Sequence, residues 1–331
     1  MRQTLPCIET HTCGEPTRIL TMFNIPGSTI SAKQDYVRKN LDHLRKALIR
    51  EPRGHRHMFG AIVTAPVDPD SACGVIWFDN QDYLNGCGHA TIGLGVALVE
   101  TGMVPHAGSS AQFSVDAPSG PLQLTVNLRD GVARETSFRN VPAFSLMLDV
   151  PLDIPGVGKL RMDVAYGGNF FGIVDAREVG VEIDGANMSR IADLGVMIRE
   201  VANSQVEVRH PVQAHVNRIG LITFRSPPRH PQARYLNTHV FANGAVDRSP
   251  GGTGTSAVLA NLHARGEIAV GEEIVAEGIA GGLFRGRVLE TTTIGGQQAV
   301  IPEVTGSAFV TSYHQFVIDS EDPFAQGFEM Q

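Results

Sequence analysis

Charge is scarce in this sequence: only 18% of its 331 residues are Asp, Glu, Lys or Arg, and 27 basic residues face 34 acidic ones, for a formal net charge of −7. No run of Lys or Arg occurs, so the electrostatic footprint of a nucleic-acid binder is missing. Long apolar stretches are missing too. Nowhere do about eighteen apolar residues follow one another, as a membrane-spanning helix requires, and the N-terminal MRQTLPCIET has no apolar run of the kind a secretory leader needs. Cysteine is rare: Cys7, Cys13, Cys73 and Cys87 all lie in the first third, which does not read as a disulfide framework. These absences predict a cytoplasmic protein with reduced thiols and with neither nucleic acid nor membrane among its partners.

What the chain does have is glycine, 36 residues of it, a 42% share of hydrophobic residues, and length for about two domains. Short β-rich runs such as Ala61 to Thr64, Gly74 to Phe78 and Leu122 to Val126 predict a strand-dominated α+β protein. Helices are expected over Ala32 to Ile49, with its Leu41, Leu44 and Leu48 spacing, over Met188 to Val206 and over Ser256 to Arg265. A further helix is expected in NGCGHATIGLGVALVETGMV, residues 85–104, which is small or apolar on every side from Ala90 to Val99 and stops at Gly102. Its lack of a polar stripe marks it as a core helix.

That helix puts Cys87 just before its first turn, where backbone N–H groups without an intrahelical partner and the positive end of the dipole favour an anion. Such a place favours thiolate, and the same N–H groups, from Gly88 and His89 onward, suit a substrate carboxylate. The competing reading is a buried thiol that acts only as a small hydrophobe.

A second segment repeats the first. CGHATIGLGVALVETGMV from Cys87 and GGTGTSAVLANLHARGEI from Gly251 align Gly88 with Gly252, Thr91 with Thr255, Leu98 with Leu262 and Gly102 with Gly266, at one constant offset. Gly14 and Gly168, each in a strand, glycine turn, strand pattern, and the pairs Ala143-Phe144 and Ala308-Phe309 recur in the same order. Three matches in sequence predict duplicated domains, each with one central helix whose N-terminus faces a shared cleft. On the second wall, Gly251 stands opposite Cys87.

Other readings of these motifs are weaker. His11, Cys13 and Glu15 crowd one turn and, gathered with Cys87 and His89, would make a metal site, but no paired metal-ligand spacing occurs. Gly252 to Ala257 is a formal G-x-G-x-x-A, yet NGAVDRSP stands where a dinucleotide fold needs an apolar strand. A cysteine hydrolase would need triad geometry that the closeness of His89 to Cys87 does not supply. His55 and His57 lie in the loop EPRGHRHMFG and read as a solvated loop. The roles of His11, Cys13, His55 and His57 stay open, and neither a metal nor a cofactor is expected.

HTCGEPTR at 11–18, GCGHATIG at 86–93 and DRSPGGTGTSA at 247–257 together resemble the three motifs of the proline racemase family, essentially end to end. The resemblance implies two pseudo-symmetric domains, each a strand-rich half-barrel around a central helix as in diaminopimelate epimerase, with the active site between them. The domains implied are 1–145, carrying Cys87, and 146–305, carrying Asp247 and Gly251, with 306–331 returning to the first.

In the racemases and hydroxyproline epimerases of that family a second cysteine follows DRSP, and in a trans-3-hydroxy-L-proline dehydratase branch a threonine does. Here Gly251 departs from both. Stretches such as EPRGHRHMFGA, DVAYGGNFF and DPFAQGF are similar to the dehydratase branch. Carried over by position, the resemblance implies that Cys87 is catalytic, that Gly88 and His89, with Gly252 and Thr253, cradle the carboxylate, and that Asp247 binds the substrate amine.

Racemisation needs a base on one face of the carbon and an acid on the other, and Gly251 supplies neither. Dehydration of trans-3-hydroxy-L-proline needs one face only, because the α-hydrogen and the hydroxyl lie on the same side of the ring. The expectation from sequence is therefore a cofactor-independent dehydratase of that imino acid. The alternatives are a hydroxyproline 2-epimerase or proline racemase in which water replaces the second cysteine, and a non-catalytic amino-acid-binding homologue. The partner is a small imino acid, and the sequence leaves monomer and homodimer both open.

Overall fold

A computed structural model of the chain describes residues 2–22 and 24–329. Met1 of the N-terminal MRQTLPCIET, and Met330 and Gln331 of the C-terminal segment, lie outside the described residues. The chain divides into two compact units, Met1–Phe138 with Ser307–Gln331, and Arg139–Gly306.

The first unit runs β1 (Arg2–Thr12), β2 (Glu15–Thr21), α1 (Ile30–Asn40), α2 (Asp42–Ile49), β3 (Phe59–Thr64), β4 (Ser71–Phe78), β5 (Tyr83–Leu84), α3 (Gly88–Glu100), β6 (Ser110–Ala117), β7 (Gly120–Arg129) and β8 (Val132–Arg139). Cys13 and Gly14, both at positive φ (51° and 89°), turn β1 back on β2 as an antiparallel hairpin. The next pair, β2 and β3, is parallel, β3 and β4 antiparallel, β4 and β6 parallel, β6 and β7 antiparallel. Each parallel step needs a crossover, and helices supply it: α1 and α2 for the first, α3 for the second.

The second unit runs β9 (Phe144–Ile154), β10 (Gly158–Tyr166), β11 (Phe170–Asp175), α4 (Met188–Gln205), β12 (Ile219–Ser226), β13 (Tyr235–Val240), α5 (Gly252–Ala264), β14 (Glu273–Gly278), β15 (Leu283–Ile294) and, as far as Gly306, the long strand β16 (Gln297–Asp319), whose remainder belongs to the first unit. From β10 to β15 its pairings alternate antiparallel and parallel in the order just given for β1 to β7, again with a helix in each parallel crossover. The repeat read from sequence is thus a repeat of topology. Ala143 and Val300 exchange backbone bonds of 2.8 and 2.7 Å, which ties the start of β9 to β16 within this unit.

Within each unit one helix lies inside the sheet and the others outside it. The inner helix α3 packs on β1, β2, β3 and β7, and α5 packs on β9, β10, β11 and β15. Every residue of α3 from Gly88 to Val99 is buried, as its all-apolar surface requires. Gly93 and Gly95 let strands come close: a Cβ on the first would lie 2.5 Å from Thr10 Oγ1 and on the second 2.7 Å from Thr136 Oγ1. On the outer face of the first unit Ile30, Val37, Leu44 and Leu48 meet Leu20, Ile62 and Ile76. On that of the second, Ile191, Leu194 and Ile198 of α4 meet Ile222, Phe224 and Val240. Each such buried Leu or Ile contributes roughly 1.5–3 kcal/mol relative to exposure.

Two helix boundaries differ from the sequence reading. The span Ala32 to Ile49 is two helices, because Leu41 leaves helical geometry (φ −127°, ψ 10°) and a new helix starts at Asp42, whose carboxylate takes Arg45 at 2.6 Å and Lys46 at 2.9 Å. The helix expected from Ser256 begins at Gly252, where poor helix formers are held by the Thr255 amide on the Gly251 carbonyl (2.8 Å) and the Ser256 hydroxyl on the Gly252 carbonyl (2.9 Å).

Candidate active site

In the first unit Cys87 is the N-cap of α3, in extended geometry (φ −144°, ψ 102°). Its carbonyl accepts the Thr91 amide (2.9 Å) and hydroxyl (2.8 Å), which starts the helix and sets the amides of its first turn at its N-terminal end. The thiol is buried, with Sγ 3.7 Å from both His89 ring nitrogens, so neither nitrogen is singled out as the base of a triad. His89 is held in turn: its ring meets Phe59 edge-on at 4.7 Å, and its carbonyl accepts the Thr12 hydroxyl at 2.8 Å.

Cys7 and Cys73 are buried without a helix N-terminus, and burial pushes both thiols up to about 12. They are poor nucleophiles near neutrality.

His11 stacks on Phe309 at 5.5 Å and accepts the Gly14 amide, and Arg18 bonds Glu9 while its guanidinium lies 4.2 Å over Phe316. Among the described residues no three His, Cys, Asp or Glu side chains gather as a metal would need. His55 and His57 lie in the turn before β3, at 6.5 Å from each other.

In the second unit the DRSPGG stretch folds on itself. The Asp247 carboxylate accepts the Ser249 amide (2.9 Å) and hydroxyl (2.8 Å), both at Oδ1, and Ser249 Oγ accepts the Gly251 amide (3.0 Å). This chain of bonds aims the backbone at Gly251, the cap of α5, into positive φ (71°) and leaves the amides of Gly252, Thr253 and Gly254 at the head of the helix. Burial pushes the Asp247 carboxyl up to about 7, against the opposing pull of its Ser249 bonds.

Sequence reasoning left out the residue that fills the space beside Gly251. A Cβ on Gly251 would lie 2.2 Å from Cδ2 and Nε2 of His239 and 3.2 Å from Asp247 Oδ2. On Gly254 it would lie 2.1 Å from His239 Cε1. His239 is fully engaged: Nε2–H donates to the Pro250 carbonyl (2.9 Å), Nδ1 pairs with Thr223 Oγ1 (2.9 Å), and the ring lies edge-on to Phe171. Burial pushes its pKa down to about 4 even though the Pro250 bond opposes this. A lone histidine in the strand YLNTHV gives no motif by which sequence alone could have found it.

Gly167 was singled out only as part of DVAYGGNFF. A Cβ there would meet the Thr253 carbonyl at 2.3 Å, so the β10–β11 turn sits against the start of α5. A cleft in this unit, about 440 Å³, has Asp149, Asp163, Arg225, Arg234 and Arg265 in its lining and no motif residue. Within it Arg265 pairs with Asp163 at 2.6 Å and with Asp149 at 3.0 Å.

Two copies of one topology, each with a buried helix that begins at a glycine-rich turn, one headed by a thiol and the other by a glycine beside a buried carboxyl, define a duplicated α+β fold. It is the fold of a solved hydroxyproline epimerase from Agrobacterium vitis with bound trans-4-OH-L-proline, at a TM-score of 0.92 and 28% identity over 99% of this chain and 95% of that one. The chain belongs to the proline racemase family, whose model matches residues 7–329. It is 44% identical to a proline racemase of Clostridioides difficile, over 98% of each chain. To a 4-hydroxyproline 2-epimerase of Streptosporangium roseum it is 40% identical over 97% of each.

Proposed function

We propose that this protein is an isomerase of proline or hydroxyproline, a racemase or 2-epimerase that works by moving the α-proton without a cofactor, in the cytoplasm. The observation that carries this reading is the buried thiol of Cys87 at the N-cap of α3, at the positive end of a helix with no acidic side chain in its first turn. Kinship to racemases and epimerases along nearly the whole chain supports the isomerase over the dehydratase expected from sequence.

In this reading Cys87 as thiolate takes the α-proton and becomes thiol. The negative charge left on the substrate spreads onto its carboxylate, for which the amides at the head of α3, beside Cys87, are donors. Such donors stabilise charge that grows as the C–H bond breaks, so they favour the transition state over the bound substrate.

A second reading, dehydration of trans-3-hydroxy-L-proline by Cys87 alone, is favoured by one observation: Gly251 carries no side chain and the His239 ring occupies its room. Incubating the protein in deuterated water with the D and L forms of proline and of 3- and 4-hydroxyproline, followed by NMR, tests both. An α-deuterated diastereomer or enantiomer as product supports the isomerase. A cyclic imine from trans-3-hydroxy-L-proline alone would transfer the assignment to the dehydratase, and turnover of none of them would reject both.

A further inference from the structure

The cleft of about 440 Å³ in the second unit lies away from the head of α5. Arg265, in its lining, caps the far end of that helix, and 13 helical residues put about 20 Å between the two ends. The lining mixes arginines with carboxylates, so what distinguishes its groups is which of them are paired. Arg265 holds Asp163 and Asp149, Arg234 reaches Glu272 at 3.2 Å, and Arg177 Nε takes both Asp175 oxygens at 3.0 and 3.1 Å. Among the described residues, the lining arginines without an ion pair are Arg161, which is exposed, and Arg225, which is half-buried. Glu178, exposed as well, accepts the Arg161 amide at 2.9 Å.

Arg225 is set unlike a surface arginine. Its guanidinium lies 5.0 Å over the buried ring of Tyr235, and its Nε is closed off from solvent without an acceptor. Burial pushes the Tyr235 hydroxyl up to about 12, so the ring beneath the cation stays neutral near pH 7 and gives it no counter-charge. Asp175, its partner in the parallel register of β11 and β12, is the carboxylate already spent on Arg177. A guanidinium that has lost part of its hydration and gained no counter-ion costs stability. Its two Nη groups, with no acceptor among the described residues, are the donors it has left for the cleft.

We propose that this cleft binds a small oxyanion, a carboxylate or phosphate group, with the two Nη groups of Arg225 as its paired donors. The planar fork matches two oxygens of either group at once. The stack on Tyr235 holds the fork in one orientation before an anion arrives, so little side-chain freedom is lost on binding. Arg161, at the exposed rim of the same cleft, adds a second unpaired positive charge. A volume of about 440 Å³ is that of a small-molecule site. All of these residues belong to the second unit, and the proposal is independent of the isomerase reading.

The test is an NMR titration of the full chain, labelled with nitrogen-15 in its arginines, with inorganic phosphate and separately with acetate at constant ionic strength. The Arg225 Nε–H signal, assigned by its disappearance in Arg225→Gln, should shift saturably with at least one of the two, at a dissociation constant of about 1 mM or tighter. Saturation by phosphate alone assigns the site to a phosphate group, and saturation by acetate assigns it to a carboxylate. Arg225→Gln, followed through the other arginine signals of the cleft, should weaken binding at least about tenfold. Arg225→Lys, which keeps the charge and loses the fork, should weaken it too, whereas Arg209→Gln, an exposed arginine outside the cleft lining, should leave it unchanged. Should Arg225→Gln not fold, Arg225→Lys is read in its place. A wild-type Arg225 signal that moves with neither anion, or only linearly, would overturn the proposal. So would binding to Arg225→Lys as tight as to wild type, since charge without the fork would then suffice.

Discussion

Gly251 cannot simply be exchanged for the cysteine that its relatives in the racemase branch are expected to carry. A side chain there would adopt φ 71°, in the left-handed region, and its Cβ would run into the buried ring of His239. Backbone strain and overpacking together put the cost of Gly251→Cys on the order of 2–4 kcal/mol. The expected loss should be smaller in a His239→Ala background, and urea denaturation of the four members of that double-mutant cycle measures it. An equal loss in both backgrounds would show that the ring is not the obstacle.

His239 also makes a pH prediction. Its folded pKa, about 4, lies below the ordinary histidine value of 6.5, so between these values the unfolded chain binds the proton and the folded one does not. Its contribution is present above pH 6.5 and is lost as pH falls toward 4. The melting-temperature advantage of wild type over His239→Gln should therefore shrink from pH 7.5 to pH 5. Asp247, with a raised pKa, acts in the opposite direction in both proteins and largely cancels in the difference.

At the scale of the element, α3 and α5 are the same device twice. Each has 13 residues, starts at a glycine and is followed by a glycine at φ 71°, Gly102 and Gly266, with nothing within 4 Å of a Cβ on either. Gly102→Ala and Gly266→Ala should each cost about 1–2 kcal/mol through backbone strain alone. Chemical denaturation of the two variants should give equal losses, and a marked difference would mean that the two stops are not equivalent.

These helices were legible in the sequence because apolar composition and glycine spacing act locally. The break at Leu41 was not: the leucine spacing runs through it unchanged, and only the backbone bend reveals it. The early start of α5 was hidden for a related reason, since Gly252 to Thr255 form a helix against their own propensity under hydrogen bonds from the surrounding turn. At the heads of the two inner helices, Cys87 in one unit and Gly251 and Asp247 in the other stood out through their motifs. His239 did not, because its part depends on packing between residues far apart in sequence.

At the scale of the whole chain, the last strand decides whether the first unit can fold. Residues 308–319 of β16 pair with Arg2 to Thr12 along all of β1, and Phe316 and Ile318 pack beside Leu5 and Cys7. A chain ending at Gly306 would leave β1 with an unpaired apolar edge, a template for aggregation. Such a truncation should be insoluble or lose the cooperative melt of the first unit, and a soluble, cooperatively melting product would contradict the assignment of this strand.

The two copies thus differ in where their outer strand comes from. The second has β9 directly before β10, whereas the first takes the matching strand from residues 308–319, beyond the whole of the second unit. During synthesis the ribosome releases β9 and β10 in immediate succession, so the later copy meets its strands in order. The earlier copy, although translated first, keeps an open edge until residues 308–319 have been made, after every strand of the later copy, so the first unit to be started is the second to be completed.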